Sequence, residues 1–597
     1  MLRFVRKQSF CLITIILCLS LSSCNIFHKQ AKEQKQFDAF MNNLFIEEVK
    51  ADSLSLNYSL AKPEDYGITD IQATLGEYSI DQMREELSVS ENHLSSLSEY
   101  NYEKLTGDQQ LTYDIVKEYL ETGLILGDYT YYREILGPTT GIQAQLPILL
   151  AEYSFYERKD IDEYLDLLPC VYDYFEDISK FEQEKSARGL FMNDDVAGRI
   201  IEQCNAFIAD PENNFLIGYF NEKIEAYDDL TQKEKKNYEI ANAIAVIDYV
   251  IPAYQLLIDT LSELTGTGTN DAGLYYYPKG KEYYEILTRY KTGSGKSMEE
   301  IIQMLDSAID NGLIKMTALN LTDRKLMDKY SEFTSFPLTD PEDILSDLKK
   351  DIRKDFPSAV NVNCDIKYVP ASLSDYLSPA MYLIPPIDNY ENNNIYINGA
   401  DKDTLSMIYT TVAHEGYPGH MYQCVYFRSQ NPSPIRNILD FTGYDEGWAT
   451  YVELYSYQYA GIDENLADLL AANNVVILCM YARTDIGIHY QGWTKNTAVN
   501  YIKNYIDNTE TAARIYSTLL EEPAIYLPYA IGYLEIDELK TKAEVTFGDD
   551  FVAKEFHQFL LDIGPAQFDI IENRMERWMA GETEQNNNYG NKNTYTP

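Results

Sequence analysis

The residues best able to do chemistry lie in the segment His414-Glu415-Gly416-Tyr417-Pro418-Gly419-His420. The chain has only six histidines, and two of them flank a glutamate here. Two imidazoles and a carboxylate are the donor and base groups of zinc hydrolases. In the usual His-Glu-x-x-His helix, the histidines lie four residues apart and bind Zn²⁺, while the glutamate acts as general base. The segment therefore predicts a site for one zinc ion with Glu415 as the base.

The spacing between His414 and His420 is six residues, wider than in the usual motif. On a regular helix six residues correspond to a rotation of roughly 240°, so the two imidazole rings would point apart. Gly416, Pro418 and Gly419 lie between them and can break or widen the turn. We therefore expect both rings to reach one metal ion only if this turn departs from a regular helix.

A second acidic segment, residues 445–453, supplies candidates for a third ligand. A catalytic zinc ion takes three protein ligands and leaves one position for water. Glu446 and Glu453 are seven residues apart and so share a helix face. We predict that Glu446 is the ligand and that Glu453 holds a ligating histidine through a hydrogen bond. Trp448 and Val452 indicate a largely buried helix, which argues against a solvated acidic face.

Two later segments carry groups that can donate to an oxyanion. The first runs from Asp485 to His489, and the second contains Tyr526 and Tyr529. We predict catalytic roles for His489 and Tyr529, with Asp485 supporting the site from behind. A lone histidine is more often structural than functional, and that alternative stays open for His489.

The elements that must position these groups are mostly helices, with one β region. Apolar residues at Leu405, Ile408, Tyr409 and Val412 predict a helix that ends near Glu415. Residues 364–399 carry the only convincing strand pattern, with candidates at 364–369, 381–384 and 394–398. An exposed strand beside a metal site can pair with an extended peptide. The alternative is a small structural sheet, and the two interpretations are compatible.

The remaining patterns are helical. Residues 161–181 have helical periodicity interrupted at Pro169, and Asp340 followed by Pro341 predicts a helix start. Residues 232–263 show a wide apolar face that we assign to the core. Its members are Tyr238, Ile240, Ile244, Ile247 and Tyr249.

At 597 residues the chain is too long for one core, so two lobes are expected. The turn cluster at residues 266–273 predicts a boundary between a helical lobe at 37–270 and a catalytic lobe at 271–580. The catalytic lobe would hold the sheet and the zinc site. The Asn-rich tail at 581–597 is predicted to be disordered. We thus predict a mainly α, two-lobed protein with a small sheet next to the zinc-site helix.

The first residues read as a bacterial lipoprotein signal at residues 1–23. Basic residues precede the apolar run at 10–21, and small residues then lead to Cys24. Cys24 would be lipidated and anchor the chain to the membrane, with residues 24–36 as a tether. An ordinary signal peptide with an incidental cysteine is the alternative.

The charge of −45 argues against nucleic acid as a partner, because phosphates would be repelled. It also argues against a body that lies flat on anionic lipid. The five cysteines beyond the signal are scattered and odd in number, so they do not form a disulfide framework.

Several motifs in order resemble the bacterial domain-of-unknown-function 885 (DUF885) family. The resemblance extends over nearly the whole mature chain. It rests on His414-Glu-x-x-Pro418-Gly419-His420, Glu446-Gly447-Trp448-Ala449-x-Tyr451-x-Glu453, Asp485-x-Gly487-x-His489-x-x-Gly492-Trp493 and Tyr529-x-x-Gly532, with Gly137-Pro138, Gln143 and Tyr276-Tyr277-Pro278-x-Gly280 in the first half.

The site of that family is similar to those of gluzincin metallopeptidases such as the Taq-type carboxypeptidases. The resemblance implies a helical, two-lobed protein with a deep cleft. It also implies that His414, His420 and Glu446 bind zinc, that Glu415 activates water, and that oxyanion donors stand at His489 and Tyr529. A zinc peptidase held outside the bacterial membrane, acting on peptide substrates, is the resulting expectation. A non-catalytic peptide-binding lipoprotein with a vestigial site and a metal hydrolase of other amides are the alternatives.

Overall fold

The computed structural model describes residues 29–69, 71–369, 379–399 and 405–581. Helices make up most of these residues and one small sheet accompanies them, so the mainly α prediction is confirmed. The predicted signal, Cys24 and residues 582–597 of the tail lie outside the described residues.

The first half of the chain contains eleven α-helices within the described residues. They are α1 (29–49), α2 (Ser53–Ser59), α3 (Ile80–Ser98), α4 (Gly107–Gly127), α5 (Ile142–Glu152), α6 (Arg158–Leu167), α7 (Cys170–Ala187), α8 (Asp194–Ile208), α9 (Phe215–Glu225), α10 (Gln232–Ala245) and α11 (Ile251–Leu264). The predicted break at Pro169 is confirmed, because α6 ends before it and α7 begins after it.

The second half continues with helices that precede and follow the three strands along the chain. They are α12 (Gly280–Thr292), α13 (Met298–Thr322), α14 (Leu326–Glu332), α15 (Pro341–Asp351), α16 (Tyr409–Glu415), α17 (His420–Ser429), α18 (Thr442–Ser456), α19 (Glu464–His489), α20 (Lys495–Ile502), α21 (Thr509–Glu521), α22 (Leu527–Phe547), α23 (Ala553–Ile563) and α24 (Phe568–Met579). The predicted helix start at Asp340 is confirmed, since its side chain accepts from the first-turn amides of α15.

The sheet contains β1 (Asn363–Tyr368), β2 (Ala380–Leu383) and β3 (Asn392–Ile397), close to the three predicted strands. The strand order is β1-β3-β2, with β1 parallel and β2 antiparallel to β3. Strand β2 therefore lies at an edge of the sheet. The amide of Asn398 donates to the carbonyl of Pro379, so Pro379 is a hydrogen-bonded position in the antiparallel pair. Such positions alternate along a strand, so the backbone groups of Ala380 and Tyr382 point away from β3.

The prediction that the apolar face of residues 232–263 lies in the core is wrong. Ile240, Ile244 and Tyr249 are 49%, 54% and 43% exposed, and the buried positions are Asn242 and Val246 instead. The helix is apolar on more than one side, so periodicity alone does not select the buried face. A π-helical turn at Val246–Val250 also changes the register between α10 and α11. Two helical segments, Gln232–Leu264 and Glu464–His489, are long and apolar enough to span a membrane, and both contribute buried residues to the core.

The buried side chains form several clusters. One in the first half contains Phe175 and Tyr254, and the largest one in the second half surrounds Trp448. Leu111 and Ile115 of α4 belong to the second cluster, so this helix from the first half packs against the second half. The five cysteines in the described residues are all free thiols.

The predicted tether at residues 24–36 is wrong from residue 29 onward. Residues 29–36 form the first turns of α1. Glu33 makes an ion pair with Lys104, and Gln34 donates to the Lys104 carbonyl. Hydrogen bonds therefore bind this segment to the folded body.

Candidate metal centre

The turn between α16 and α17 brings the two histidines of the motif together. Helix α16 ends at Glu415, and Gly416 leaves the helical conformation with φ −107° and ψ −102°. The peptide bond between Tyr417 and Pro418 is cis. Helix α17 then begins at His420, whose ring centroid lies 4.8 Å from that of His414. The wider spacing is therefore accommodated by a break between two helices.

Glycine is required where this turn passes closest to α16. The Gly419 amide donates to the carbonyl of Ala413 at 3.0 Å. A Cβ atom at position 419 would lie 1.7 Å from the carbonyl oxygen of His414, a distance that no side chain can occupy. This close approach lets the backbone return His420 to the side of His414.

Three predicted ligands meet at one point. Oε2 of Glu446 lies 3.4 Å from Nε2 of His414 and 3.5 Å from Nε2 of His420. Their candidate donor atoms all lie within 4.8 Å of one another. Ligands at about 2.0–2.2 Å from one tetrahedral ion would be roughly 3.3–3.5 Å apart, so the two measured distances suit a single cation.

Close packing of α18 on α22 places Glu446 in this position. A Cβ atom at Gly447 would lie 2.4 Å from the backbone of Gly532, so both helices need glycine there. The indole Nε1 of Trp448 donates to the carbonyl of Pro418 at 2.9 Å and ties α18 to the turn. The residues beside the candidate ligand thus align it with the two histidines.

Glu453 lies where a support for His414 was predicted. Its Oε2 is 3.1 Å from Nδ1 of His414, which leaves Nε2 facing Glu446. Burial lowers the pKa of His414, but the neighbouring carboxylates of Glu446 and Glu453 outweigh burial and raise the pKa well above its usual value. This pair of contacts orients the imidazole with Nε2 toward the shared point.

A second observation, independent of these distances, also indicates that the three residues suit a metal ion. Oε2 of Glu446 is a buried oxygen with no hydrogen-bond partner among the described residues. Burial raises the pKa of Glu446, and the two imidazoles lower it further than burial raises it, so the carboxylate is charged. The side chains of His414, His420 and Glu446 keep 12–19% of their exposure, so a cation can reach them. Two imidazoles and one carboxylate are a typical catalytic zinc set.

The backbone of β2 holds Glu415, the predicted base. The amide of Tyr382 donates to Oε2 of Glu415 at 2.8 Å. This amide is one of the groups that β2 turns away from β3, so the free edge of the sheet faces Glu415. Sequence reasoning predicted a sheet near the site but not this bond, because a backbone donor leaves no signal in residue types.

Asp445 is a second group near the site that the sequence analysis missed. It accepts from Nε2 of Gln423 at 3.0 Å, and burial raises its pKa to about 7. The charge of His420 lowers that pKa, so Asp445 interacts electrostatically with a candidate ligand. Its position directly before Glu446 was the available signal.

Tyr529 reaches the candidate centre from the first turn of α22. Its ring lies 6.4 Å from that of His414 in a stacked arrangement. Burial, followed by the neighbouring Glu446 carboxylate, raises the pKa of its hydroxyl, which therefore stays protonated. Tyr526 packs against Tyr529 with ring centroids 6.4 Å apart. The structure thus brings Tyr529 to the predicted ligands.

The predicted catalytic role of His489 is wrong. Nδ1 of His489 accepts from the amide of Leu274 at 3.1 Å, and Nε2 lies 2.8 Å from the carbonyl of Leu519. The imidazole is fully buried, and burial lowers its pKa to about 4. Both ring nitrogens are occupied by backbone groups, so His489 joins two chain segments and has no proton to offer an oxyanion.

The predicted support of the metal ligands by Asp485 is also wrong. The hydroxyl of Tyr284 donates to Oδ1 of Asp485, and the amide of Ala524 donates to its carboxylate. Asp485 therefore fixes the segment that leads into α22, and Tyr529 lies in the first turn of that helix. Its effect on the centre is indirect, through the position of that segment.

Replacing His489 tests its structural role. A histidine with a folded pKa of about 4, against about 6.5 unfolded, stabilises the fold above pH 6.5 and loses this contribution as pH falls toward 4. This shift in pKa corresponds to about 3 kcal/mol in the free energy of unfolding. We expect the loss in unfolding free energy from His489→Gln to be largest above pH 6.5 and to shrink by about this amount near pH 4. Chemical denaturation across this range measures it, and a loss independent of pH would contradict the assignment.

Comparisons with known proteins agree with this architecture. The chain shares its fold with the putative lipoprotein from Colwellia psychrerythraea, at TM-score 0.80 and 19% identity over 92% of this chain and 99% of that one. A putative lipoprotein of unknown function from Shewanella oneidensis matches at TM-score 0.63 and 16% identity, over 90% and 99%. No curated protein matches the chain.

A family model decides the relationship. The model for "Bacterial protein of unknown function (DUF885)" matches residues 63–575. This range includes the candidate ligands, Glu415 and Tyr529, and covers most of the 597 residues. The resemblance inferred from the motifs is thereby confirmed. The chain belongs to the DUF885 family of bacterial proteins.

Proposed function

We propose that this protein is a zinc-dependent peptidase that works outside the bacterial cytoplasm. The observation that carries the proposal is the unpartnered, buried oxygen of Glu446 between the Nε2 atoms of His414 and His420. These three residues would hold the ion. The adjacent Glu415 supplies a base, as hydrolysis by an activated water requires.

A zinc ion bound by this set would act as a Lewis acid, polarising the substrate carbonyl and lowering the pKa of water. Glu415 takes the proton from the attacking water and returns it to the nitrogen of the leaving amine. The bond from the Tyr382 amide holds the Glu415 carboxylate in place for both transfers. The hydroxyl of Tyr529 donates to the oxyanion that forms on the substrate carbonyl.

The edge of β2 supports a peptide as the substrate. The Tyr382 amide on this edge is bonded to Glu415, so the groups left for pairing are the amide and carbonyl of Ala380 and the carbonyl of Tyr382. An extended peptide can pair with such an edge through main-chain hydrogen bonds, whatever its side chains. This arrangement would hold the scissile bond beside the base.

Removing the Tyr529 hydroxyl should slow the reaction. Loss of one oxyanion donor typically lowers kcat by about 10²–10³-fold, because the bond strengthens only as charge develops. We expect Tyr529→Phe to lower kcat by this amount with little change in KM or zinc content. Tyr526→Phe is the matched control, and equal kcat losses in the two variants would contradict the assigned donor.

Two observations support an extracytoplasmic location. The sequence begins with a lipoprotein-type signal that ends before Cys24. The two structurally similar proteins are described as putative lipoproteins. We propose that Cys24 carries the lipid that anchors the protein.

A peptide-library digest tests the activity. The purified chain is incubated with the library as prepared, with chelator, and with chelator followed by excess zinc. We expect new peptide ends that disappear with chelator and return with zinc. A library that stays intact under all three conditions would contradict the peptidase.

A further inference from the structure

The start of α1 carries a charge opposite to that of the chain as a whole. Lys29, Lys32 and Lys35 are exposed and recur every three residues. Residues spaced in this way occupy a helix arc of roughly 120°, so the three ammonium groups share one side. None of them forms an ion pair with another described residue. With Glu33, residues 29–36 hold three basic groups and one acidic group, a net charge of +2, in a protein whose net charge is −45.

This lysine face of α1, formed by Lys29, Lys32 and Lys35, is fixed relative to the body. The same helix buries Phe37 and Met41 in a core cluster. At 100° per residue, the buried side chains project roughly opposite to the lysines. The Glu33 carboxylate pairs with Lys104 at 2.5 Å and accepts from the Asn101 amide at 2.8 Å. The lysines therefore point outward from a defined side of the protein.

The proposed lipid anchor lies close to this face. Cys24 is five residues before Lys29, and a fully extended chain of that length spans at most about 18 Å. If Cys24 carries the lipid, the start of α1 cannot lie farther than this from the headgroups. The hydrogen bonds that fix residues 33–36 to the body exclude the longer tether predicted from the sequence.

We propose that the lysine face of α1 docks on the anionic headgroups of the membrane that anchors Cys24, and so determines which side of the protein faces the bilayer. The proposal rests on the lipidation included in the proposed function. Each lysine near an anionic surface adds attraction, which acts within about one Debye length. The acidic remainder of the protein is repelled from the same surface. Opposite forces on two parts of one rigid body favour a single orientation.

Amine labelling of the lipidated full chain tests this orientation. The protein is reconstituted by detergent dilution onto the outside of preformed vesicles, made either of phosphatidylglycerol with phosphatidylethanolamine or of phosphatidylcholine alone. Flotation isolates the vesicle-bound chain. A water-soluble, amine-reactive reagent is then applied, and mass spectrometry measures the labelling rate of each lysine. Exposed lysines far along the chain, Lys233, Lys350 and Lys503, are internal controls.

At low salt we expect Lys29, Lys32 and Lys35 to label at least about fivefold more slowly on the anionic vesicles than on the phosphatidylcholine vesicles. At about 1 M salt, where the Debye length is about 3 Å, the difference should disappear. The control lysines should label alike on both vesicles. If the protein floats and the lysine face labels at the same rate on both kinds of vesicle, the docking surface alone is overturned. Failure to float would overturn the anchor and the docking surface together, and neither result bears on peptide hydrolysis.

Discussion

Glu415→Gln should lower kcat for peptide hydrolysis by about 10²–10⁴-fold while the zinc content stays unchanged. The amide has the shape of the carboxylate but cannot accept the proton of the attacking water. It can still accept from the Tyr382 amide, so the fold near β2 should persist. Kinetics on a cleaved peptide and metal analysis of the same preparation measure the two quantities.

The matched control is Glu391→Gln, which neutralises an exposed carboxylate near the sheet and should leave kcat unchanged. The two variants carry the same change in charge, so electrostatic effects on the whole protein cancel in the comparison. A Glu415→Gln enzyme with near wild-type kcat would remove Glu415 from the role of base. Loss of zinc in this variant would show instead that the carboxylate helps to hold the metal.

Glu446→Ala should abolish stoichiometric zinc binding and with it the hydrolytic activity. The change removes the only carboxylate whose oxygen lies 3.4 and 3.5 Å from the two Nε2 atoms of the predicted ligands, among the described residues. Glu453→Gln replaces the charged partner of His414 with a neutral one and leaves the donor set intact, and changes to such partners typically cost about 10–100-fold in metal affinity. We therefore expect the loss of affinity to be larger for Glu446→Ala than for Glu453→Gln.

Competition titration with a zinc-binding dye measures both affinities. Circular dichroism on each variant separates loss of the ion from loss of the fold. Equal affinity in Glu446→Ala and the wild type would contradict the ligand assignment, and a larger loss in Glu453→Gln would reverse the two roles.

The sequence predicted the members of the candidate centre better than their geometry. His414, His420 and Glu446 were selected by residue type and spacing, and the structure brings them together. The turn at residues 416–419 could not be predicted in detail, since its path depends on the carbonyl of His414 and on the Trp448 indole, thirty residues away. The contact from the Tyr382 amide is likewise a long-range backbone contact that residue types do not encode.

The two wrong assignments near the centre share a cause. His489 and Asp485 follow the ligands in sequence order, but they face Leu274, Leu519, Tyr284 and Ala524 on other elements. Proximity along the chain did not indicate which side of α19 they occupy. The exposed Ile240 and Ile244 show the same limit, because periodicity identifies an apolar face but not the element that covers it.

The zinc content of the purified protein tests the central claim most directly. Metal analysis by mass spectrometry, before and after incubation with zinc and removal of the excess, should give about one zinc per chain after loading. The same analysis of Glu446→Ala should give almost none. Fewer than about 0.1 zinc per wild-type chain, unchanged by added zinc, would contradict the metal centre and favour a peptide-binding protein with a vestigial site.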